Sequence, residues 1–345
     1  MYIQFYYPKR LSFSPVDYED GLGGSEASLV LLSKSMAEKG HRVEVYNACW
    51  APGNYDGVVW KGAWEIDSAP APDVLVHVRT KSSVIRKAAA VHIFWMLDDR
   101  PDGAIEFQRE YPGSCVSLSS EAMRRRAVSA GYRGDVRKIF LPVDRRVRTE
   151  WSPPRNSRYC IHSSMPNRGL KELLEIWPLV RKRVPDAKLY VTSGWELWGY
   201  TKEEAKDKWN QVMGHDYGTD GVVLTGVLPK DKLYALLNGA RFSVIPSHFP
   251  EMFCIAAAEA EAAGKPLIVS DYEALSERVD NGVNGFKISG NIGSEPVRNE
   301  FAERMTELFA DDSLADIMGN NSRIRGESYD AGLIADNWEK LIRGE

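Results

Sequence analysis

The stretch FSVIPSHFPEMFCIAAAEAEAAGKPLIVS, residues 242–270, reads as strand, loop, helix and strand. FSVIP (242–246) and PLIVS (266–270) are short, apolar and β-prone. Between them, residues 252–263 carry only two charged side chains, Glu259 and Glu261, so the helix is expected to be buried. Two strands joined through a helix make a parallel βαβ unit. A carboxylate on such a helix is costly unless a hydroxyl or a cation meets it. Glu251 stands eight positions before Glu259, just ahead of the helix. The free amides and dipole at the helix start form an anion site suited to a diphosphate. The segment therefore offers a phosphate cradle flanked by two carboxylates able to hold sugar hydroxyls. The competing use of Glu259 is a structural ion pair.

The same alternation runs outward in both directions. Residues 2–7 form a β-prone run, followed by the glycine loop GLGGSE (21–26) and a helix over 25–39, capped by Ser25 and ended by Gly40. A strand at 42–46 completes a βαβ unit. Strands are predicted at 74–78, 91–97, 115–119 and 139–142, with a helix at 121–130. Residues 144–158, DRRVRTEWSPPRNSR, are charged, contain Pro-Pro and lack periodicity, which marks a linker. A second series follows: strands at 159–162, 187–192 and 222–226 precede the opening stretch, with a helix at 169–183, and residues 295–341 read as mainly helical. Two alternating series imply two α/β domains, each on a parallel sheet covered on both faces. Ligands of such sheets sit at the carboxyl ends of the strands. The expected division is residues 1–145, a linker at 146–157, residues 158–326, and a final helix at 327–345 able to return to the first domain.

Composition removes several classes. The 345 residues include 43% hydrophobic and 27% charged side chains, the balance of a folded globular chain of about two domains. A formal net charge of −4 gives no electrostatic case for nucleic acid as the main partner. No apolar run approaches the length of a membrane span, and the start MYIQFYYPKR lacks the pattern of a signal peptide, so a cytoplasmic protein is expected. Cys49, Cys115, Cys160 and Cys254 form no CxxC pair, which argues against zinc knuckles and disulfide scaffolds. The six histidines form no HxxxH or HxH pair. His77 and His92, in predicted strands, are expected in the core or supporting a site from behind, and His248 lies in the loop before Glu251.

The pair Glu251 and Glu259, followed by Ala263-Gly264-Lys265-Pro266, resembles the E-x-F-G-(x)4-E-A-(x)3-G-x-P signature of family 4 glycosyltransferases, also called glycosyl transferases group 1. The resemblance continues upstream in GVLPKDKLYALLNGARFSVIPS (226–247). It continues downstream in Glu277 and NGVNGF (281–286), and at the other end in GLGGSE with GHRVEVY. It implies the GT-B fold, two Rossmann-like domains with parallel sheets facing across a cleft. It implies retaining, metal-independent hexosyl transfer from a UDP- or GDP-sugar to the hydroxyl of a glycan, lipid-linked or small-molecule acceptor, with no cofactor beyond that donor. By the same resemblance Glu251 contacts the donor sugar, Glu259 holds the ribose, and backbone amides of Met252, Phe253 and Cys254 hold the phosphates. Gly23 and Gly24 face the diphosphate from the first domain; an ordinary tight turn is the alternative.

Three departures from the family pattern stand out. SSMPNRG places Ser163 where the family has Arg, and Arg168 where it has Lys. One guanidinium can bridge two phosphate oxygens. Lys171 can assist it or simply belong to a solvated helix face. In WMLDDRP, Asp98 stands where the family often has His, which fits either a hydroxyl-holding carboxylate or lost activity. Met252 and Cys254 replace glycines. Two rivals remain: an inert relative that binds a nucleotide sugar or glycan, and an NAD-dependent oxidoreductase or epimerase. For the latter, Glu44 lies near the required spacing from the glycine loop, but the third glycine is missing.

Overall fold

Short apolar runs of the predicted kind form the inner strands of two sheets. The structure is a computed structural model that describes residues 1–8, 11–148, 157–213 and 220–345. Most of the expected linker, residues 149–156, lies outside the described residues. The chain divides into two units. The first comprises residues 1–18, 22–142 and 329–345, and the second residues 19–21 and 143–328.

The first unit is built on eight strands. These are β1 (Tyr2–Tyr7), β2 (Arg42–Asn47), β3 (Gly53–Tyr55), β4 (Val58–Gly62), β5 (Val74–Val78), β6 (Val91–Trp95), β7 (Cys115–Leu118) and β8 (Asp135–Lys138). Their order is β3-β4-β2-β1-β5-β6-β7-β8, and every pairing is parallel except β3 with β4. All five residues of β5 are buried, as a strand covered on both faces requires. Helices α1 (Gly24–Glu38), α2 (Asp102–Glu110) and α3 (Glu121–Ser129) connect the strands. Helix α11 (Ala331–Arg343) packs beside α1, and its Trp338 ring meets Phe5 and Trp95 at centroid distances of 6.3 and 5.2 Å.

The second unit carries six parallel strands: β9 (Tyr159–His162), β10 (Lys188–Val191), β11 (Val222–Leu224), β12 (Ser243–Ile245), β13 (Leu267–Ser270) and β14 (Gly285–Ile288). Their order is β11-β10-β9-β12-β13-β14. The helices are α4 (Leu170–Arg183), α5 (Lys202–Met213), α6 (Lys230–Gly239), α7 (Ile255–Ala262), α8 (Glu273–Arg278), α9 (Glu295–Ala310) and α10 (Asp312–Gly326). One core joins Leu173, Trp177 and Val180 of α4 to Phe301 and Met305 of α9 through Val191, Val244 and Ile268 of the sheet.

Several local expectations need correction. The eighth strand is Asp135–Lys138, not 139–142. As the last strand of its sheet it is half solvated, so it has no apolar run to betray it, whereas Ile139 and Leu141 are apolar because they are buried after the strand ends. Helix α1 starts at Gly24 with Gly23 as its cap and no side-chain cap, so Ser25 lies inside the helix. The buried helix of residues 252–263 begins only at Ile255. The hairpin β3–β4 escaped notice, although its Asp56-Gly57 turn, with φ of 51° and 80°, is a two-residue type I′ signal.

Candidate functional site

The order of the second sheet reverses between β9 and β12, so the chain leaves their carboxyl ends toward opposite edges. That is where open α/β sheets hold ligands. Gly169, with φ of 87°, caps α4 at this point. A Cβ there would stand 2.1 Å from the Pro246 carbonyl oxygen, so only glycine lets the loop after β9 lie against the exit of β12. The close approach puts Arg168 beside the 247–251 loop. Its guanidinium carbon stands 3.2 Å from the Phe249 ring centroid and 5.6 Å from that of Trp198. Its Nε lies 2.9 Å from Glu251 Oε1, with both side chains largely buried. Burial pushes the Glu251 carboxyl above the usual range, while Arg168 and Arg278 pull against it. Two residues assigned from sequence, Arg168 and Glu251, are thus one pair.

The turn into α7 is braced from below. Arg278 donates through Nε and Nη2 to the Phe253 carbonyl at 2.9 and 2.8 Å and lies 3.7 Å from the centroid of the Phe253 ring. Its Nη1 reaches Glu261 Oε2 at 3.1 Å, and Asn284 donates to the other oxygen at 3.3 Å. Met252, Phe253 and Cys254 are all buried. Cys254 caps α7 at φ 63° without a side-chain cap bond, and both Ala257 and Ala258 donate to its carbonyl. The first helical amides, of Ile255 and Ala256, therefore stand at the start of the helix as an anion site requires.

Glu259 receives Lys230 Nζ on Oε1 at 2.9 Å, with both side chains buried. Its Oε2 has no hydrogen-bond partner among the described residues. The hydroxyl or cation that Glu259 needs is Lys230, at the first position of α6 and 29 residues away in the sequence, where nothing local marks it. Five buried polar atoms lie along the exits of β9 and β10 without a hydrogen-bond partner among the described residues. They are Ser163 Oγ, Asn167 Oδ1, Thr192 Oγ1, Ser193 Oγ and Trp195 Nε1. Buried groups of this kind normally find partners, so their concentration here fits a polar ligand. Lys171 is exposed on the first turn of α4, and His248 is exposed with Nδ1 3.4 Å from Glu172.

In the first unit the sheet order reverses between β1 and β5. Arg79 follows β5 in the left-handed region at φ 72°, a conformation costing about 1–3 kcal/mol for a non-glycine residue. It donates to Tyr7 Oη at 2.8 Å and to Glu26 Oε1 at 2.9 Å through Nη1, and to Asp98 Oδ2 at 2.7 Å through Nε. Burial opposes the Arg79 charge, but Tyr7, Glu26 and Asp98 outweigh it and hold its pKa above the ordinary value. Asp98 keeps 29% of its side chain exposed, and its Oδ1 has no partner among the described residues. Arg79 and Glu26 were missed; Glu26 belongs to the quoted GLGGSE loop, while nothing local marks Arg79. Gly23 and Gly24 form the start of α1, Gly23 with φ of −58°, which any residue can adopt. Glu44 is not free to hold a ribose. It lies within β2 and accepts from Tyr2 at 2.7 Å, Arg42 at 2.8 Å, Lys61 at 3.1 Å and Tyr46. His77 is buried, as expected, and stacks against His92, which is only half-buried.

Among the described residues no three His, Cys, Asp or Glu side chains come together as metal ligands, and no helix is long and apolar enough to cross a membrane. The chain is 26% identical over 144 residues to lipopolysaccharide 1,2-N-acetylglucosaminetransferase of Salmonella typhimurium, covering 41% of this chain and 37% of that protein. The aligned part thus spans well under half the length of that relative. The structure of sucrose-phosphate synthase from Thermosynechococcus elongatus superposes with a TM-score of 0.75 at 14% identity, over 99% of this chain and 98% of that one. Anabaena HepE in complex with UDP-glucose superposes with a TM-score of 0.75 at 16% identity over the whole of both chains. These likenesses establish the GT-B fold. The family model described as "Glycosyl transferases group 1" matches residues 150–325, just over half of the chain. The chain belongs to the glycosyl transferases group 1 family.

Proposed function

We propose that the protein is a glycosyltransferase moving a hexosyl group from a nucleoside-diphosphate sugar, a UDP- or GDP-sugar, to an acceptor hydroxyl, with retention and without a metal. The observation that carries this reading is the Arg168–Glu251 pair at the switch point of the second sheet, beside the uncapped start of α7. The amides of Ile255 and Ala256 and the Arg168 guanidinium hold the diphosphate. Glu251 accepts from hydroxyls of the donor sugar, and Glu259 Oε2 accepts from the ribose. Lys171, exposed on the first turn of α4, assists Arg168 with the phosphates.

In the reaction the bond from the anomeric carbon to the phosphate oxygen breaks, its electron pair leaving with the diphosphate. The acceptor oxygen bonds to the anomeric carbon and its proton passes to the departing phosphate. Arg168 and the helix amides stabilise the charge that builds on the leaving group, so no strong general base is needed. Asp98 Oδ1 holds a hydroxyl of the acceptor. HepE, whose structure contains UDP-glucose, supports UDP as the first nucleotide to try.

The test is thermal unfolding against UDP, GDP, ADP, NAD and their sugar conjugates, with Glu259→Ala as control. A nucleotide at about 100 times its dissociation constant adds about 2.7 kcal/mol, a visible shift in Tm. The expected result is a shift with one nucleoside diphosphate that the variant loses. A shift with NAD alone, or with none of them, would overturn the reading.

A further inference from the structure

Two exposed tryptophans at the carboxyl edge of the first sheet take no part in the site described above. Trp50 follows β2 and Trp64 follows β4, neighbouring strands whose register sets Asn47 opposite Gly62. Trp50 is 59% exposed and Trp64 75%. Both rings are nevertheless held. Trp50 Nε1 donates to Asp17 Oδ2 at 2.8 Å, and the Ser14 amide donates to the same oxygen at 2.8 Å. The Trp64 ring lies across Gly62: a Cβ there would stand 2.3 Å from its Cζ2 and 2.5 Å from its Cε2 and Cη2. Glycine makes room for the indole, and the Gly62 amide closes the turn by donating to Glu65 Oε1 at 2.8 Å.

An immobilised indole with an open face offers large contact area with little ordering left to lose. Its complement is a flat apolar surface with a polar rim, the shape of a pyranose ring. Lys87 Nζ donates to the Ile66 and Ala69 carbonyls, at 2.8 and 2.7 Å, beyond Trp64 in the same turn, but the charged groups bonded to Trp50 and to the Gly62 under Trp64 are carboxylates, Asp17 and Glu65. They suit sugar hydroxyls and oppose an anionic lipid surface. In the strand order β4-β2-β1-β5-β6, a spacing of about 4.8 Å puts the ends of β2 and β4 ~14 and ~19 Å from the end of β6, which Asp98 follows. A single sugar does not bridge that distance; a short chain of sugars does.

We propose that Trp50 and Trp64 form a stacking platform for an oligosaccharide acceptor whose terminal hydroxyl reaches Asp98. This rests on the glycosyltransferase reading above and adds to it the acceptor class.

The test uses the full chain and four probes: maltotetraose, cellotetraose, chitotetraose and mannotetraose. Binding is read by calorimetry and by protection of tryptophan fluorescence from acrylamide. At least one tetrasaccharide is expected to bind and protect. Trp64→Ala and Trp50→Ala are each expected to weaken it about tenfold, the equivalent of ~1.4 kcal/mol of stacking, while Trp64→Phe retains most of it. The Tm shift with UDP or GDP should be unchanged in all three variants. Binding of no tetrasaccharide, or binding that survives the double Ala variant, overturns the platform. So does protection by phosphatidylcholine–phosphatidylglycerol vesicles in place of sugars. A nucleotide shift without sugar binding sinks the platform alone. Sugar binding without any nucleotide shift sinks the donor assignment and leaves the platform standing.

Discussion

Lys230 Nζ stands 2.9 Å from Glu259 Oε1, and neither side chain is more than a tenth exposed. Each charge is tolerable in that place because the other is there. Lys230→Met strands a buried carboxylate and is expected to cost about 3–5 kcal/mol in urea unfolding, whereas Lys230→Met with Glu259→Leu recovers most of the loss. Nucleotide binding separates the roles: the double variant regains stability but not the Tm shift with nucleotide. A double variant no more stable than Lys230→Met would show that the pair is not what holds these side chains.

Arg168 is bonded to a carboxylate in the free protein, and in the proposed reaction its work grows as charge builds on the leaving diphosphate. Arg168→Ala is therefore expected to lower kcat by about 100-fold or more while weakening donor affinity by less than tenfold. Arg168→Lys keeps the charge but loses the fork that spans two oxygens, and should fall between. Steady-state kinetics beside calorimetric affinity checks this. Equal losses in both quantities would make Arg168 a simple binding residue.

Cys254 occupies a left-handed conformation at φ 63°. Cys254→Gly relieves about 1–2 kcal/mol of strain and gives back most of it in chain entropy and lost burial, so stability should move by less than about 1 kcal/mol. Cys254→Val, β-branched in the same conformation, should lose about 1–3 kcal/mol. Urea midpoints decide the matter, and a Val variant as stable as the parent would refute the strain. Burial pushes the Cys254 thiol up to about 12, so it should alkylate only on unfolding.

Lys265 is buried with Nζ donating to the Asn238 carbonyl at 2.6 Å. Burial, helped by Arg241, lowers its pKa from 10.5 to about 7. Between those values the unfolded chain binds more protons than the folded one, so this group makes stability rise with pH. Compared with Lys265→Met, the parent should gain stability from pH 7 toward 10, with no change in the difference below pH 6. A pH-independent difference in ΔG would show that Lys265 titrates normally.

Much of this was legible in the order of residues. Runs such as VLVHV and PLIVS announce strands because they are buried on both faces, and Glu251 and Glu259 are conspicuous against an apolar helix. What stayed hidden was hidden for physical reasons. Asp135–Lys138 is a polar edge strand with no apolar signature. Lys230 and Arg278 look like ordinary surface charges until folding carries them to Glu259 and Glu261 from 29 and 17 residues away. Arg79 carries no local mark at all. Its role follows from the sheet order, which brings the ends of β1, β5 and β6 side by side.

The helix bearing Trp338 belongs to the first unit although it is synthesised after the whole of the second. On the ribosome, Phe5 and Trp95 emerge first yet wait for their aromatic partner until more than two hundred further residues have followed Trp95. The second unit, with the 19–21 segment it takes from the earlier part of the chain, lies between them in the order of synthesis. Vectorial synthesis therefore leaves the first unit without α11, and Phe5 and Trp95 without that aromatic partner, until the residues of the second unit have been made.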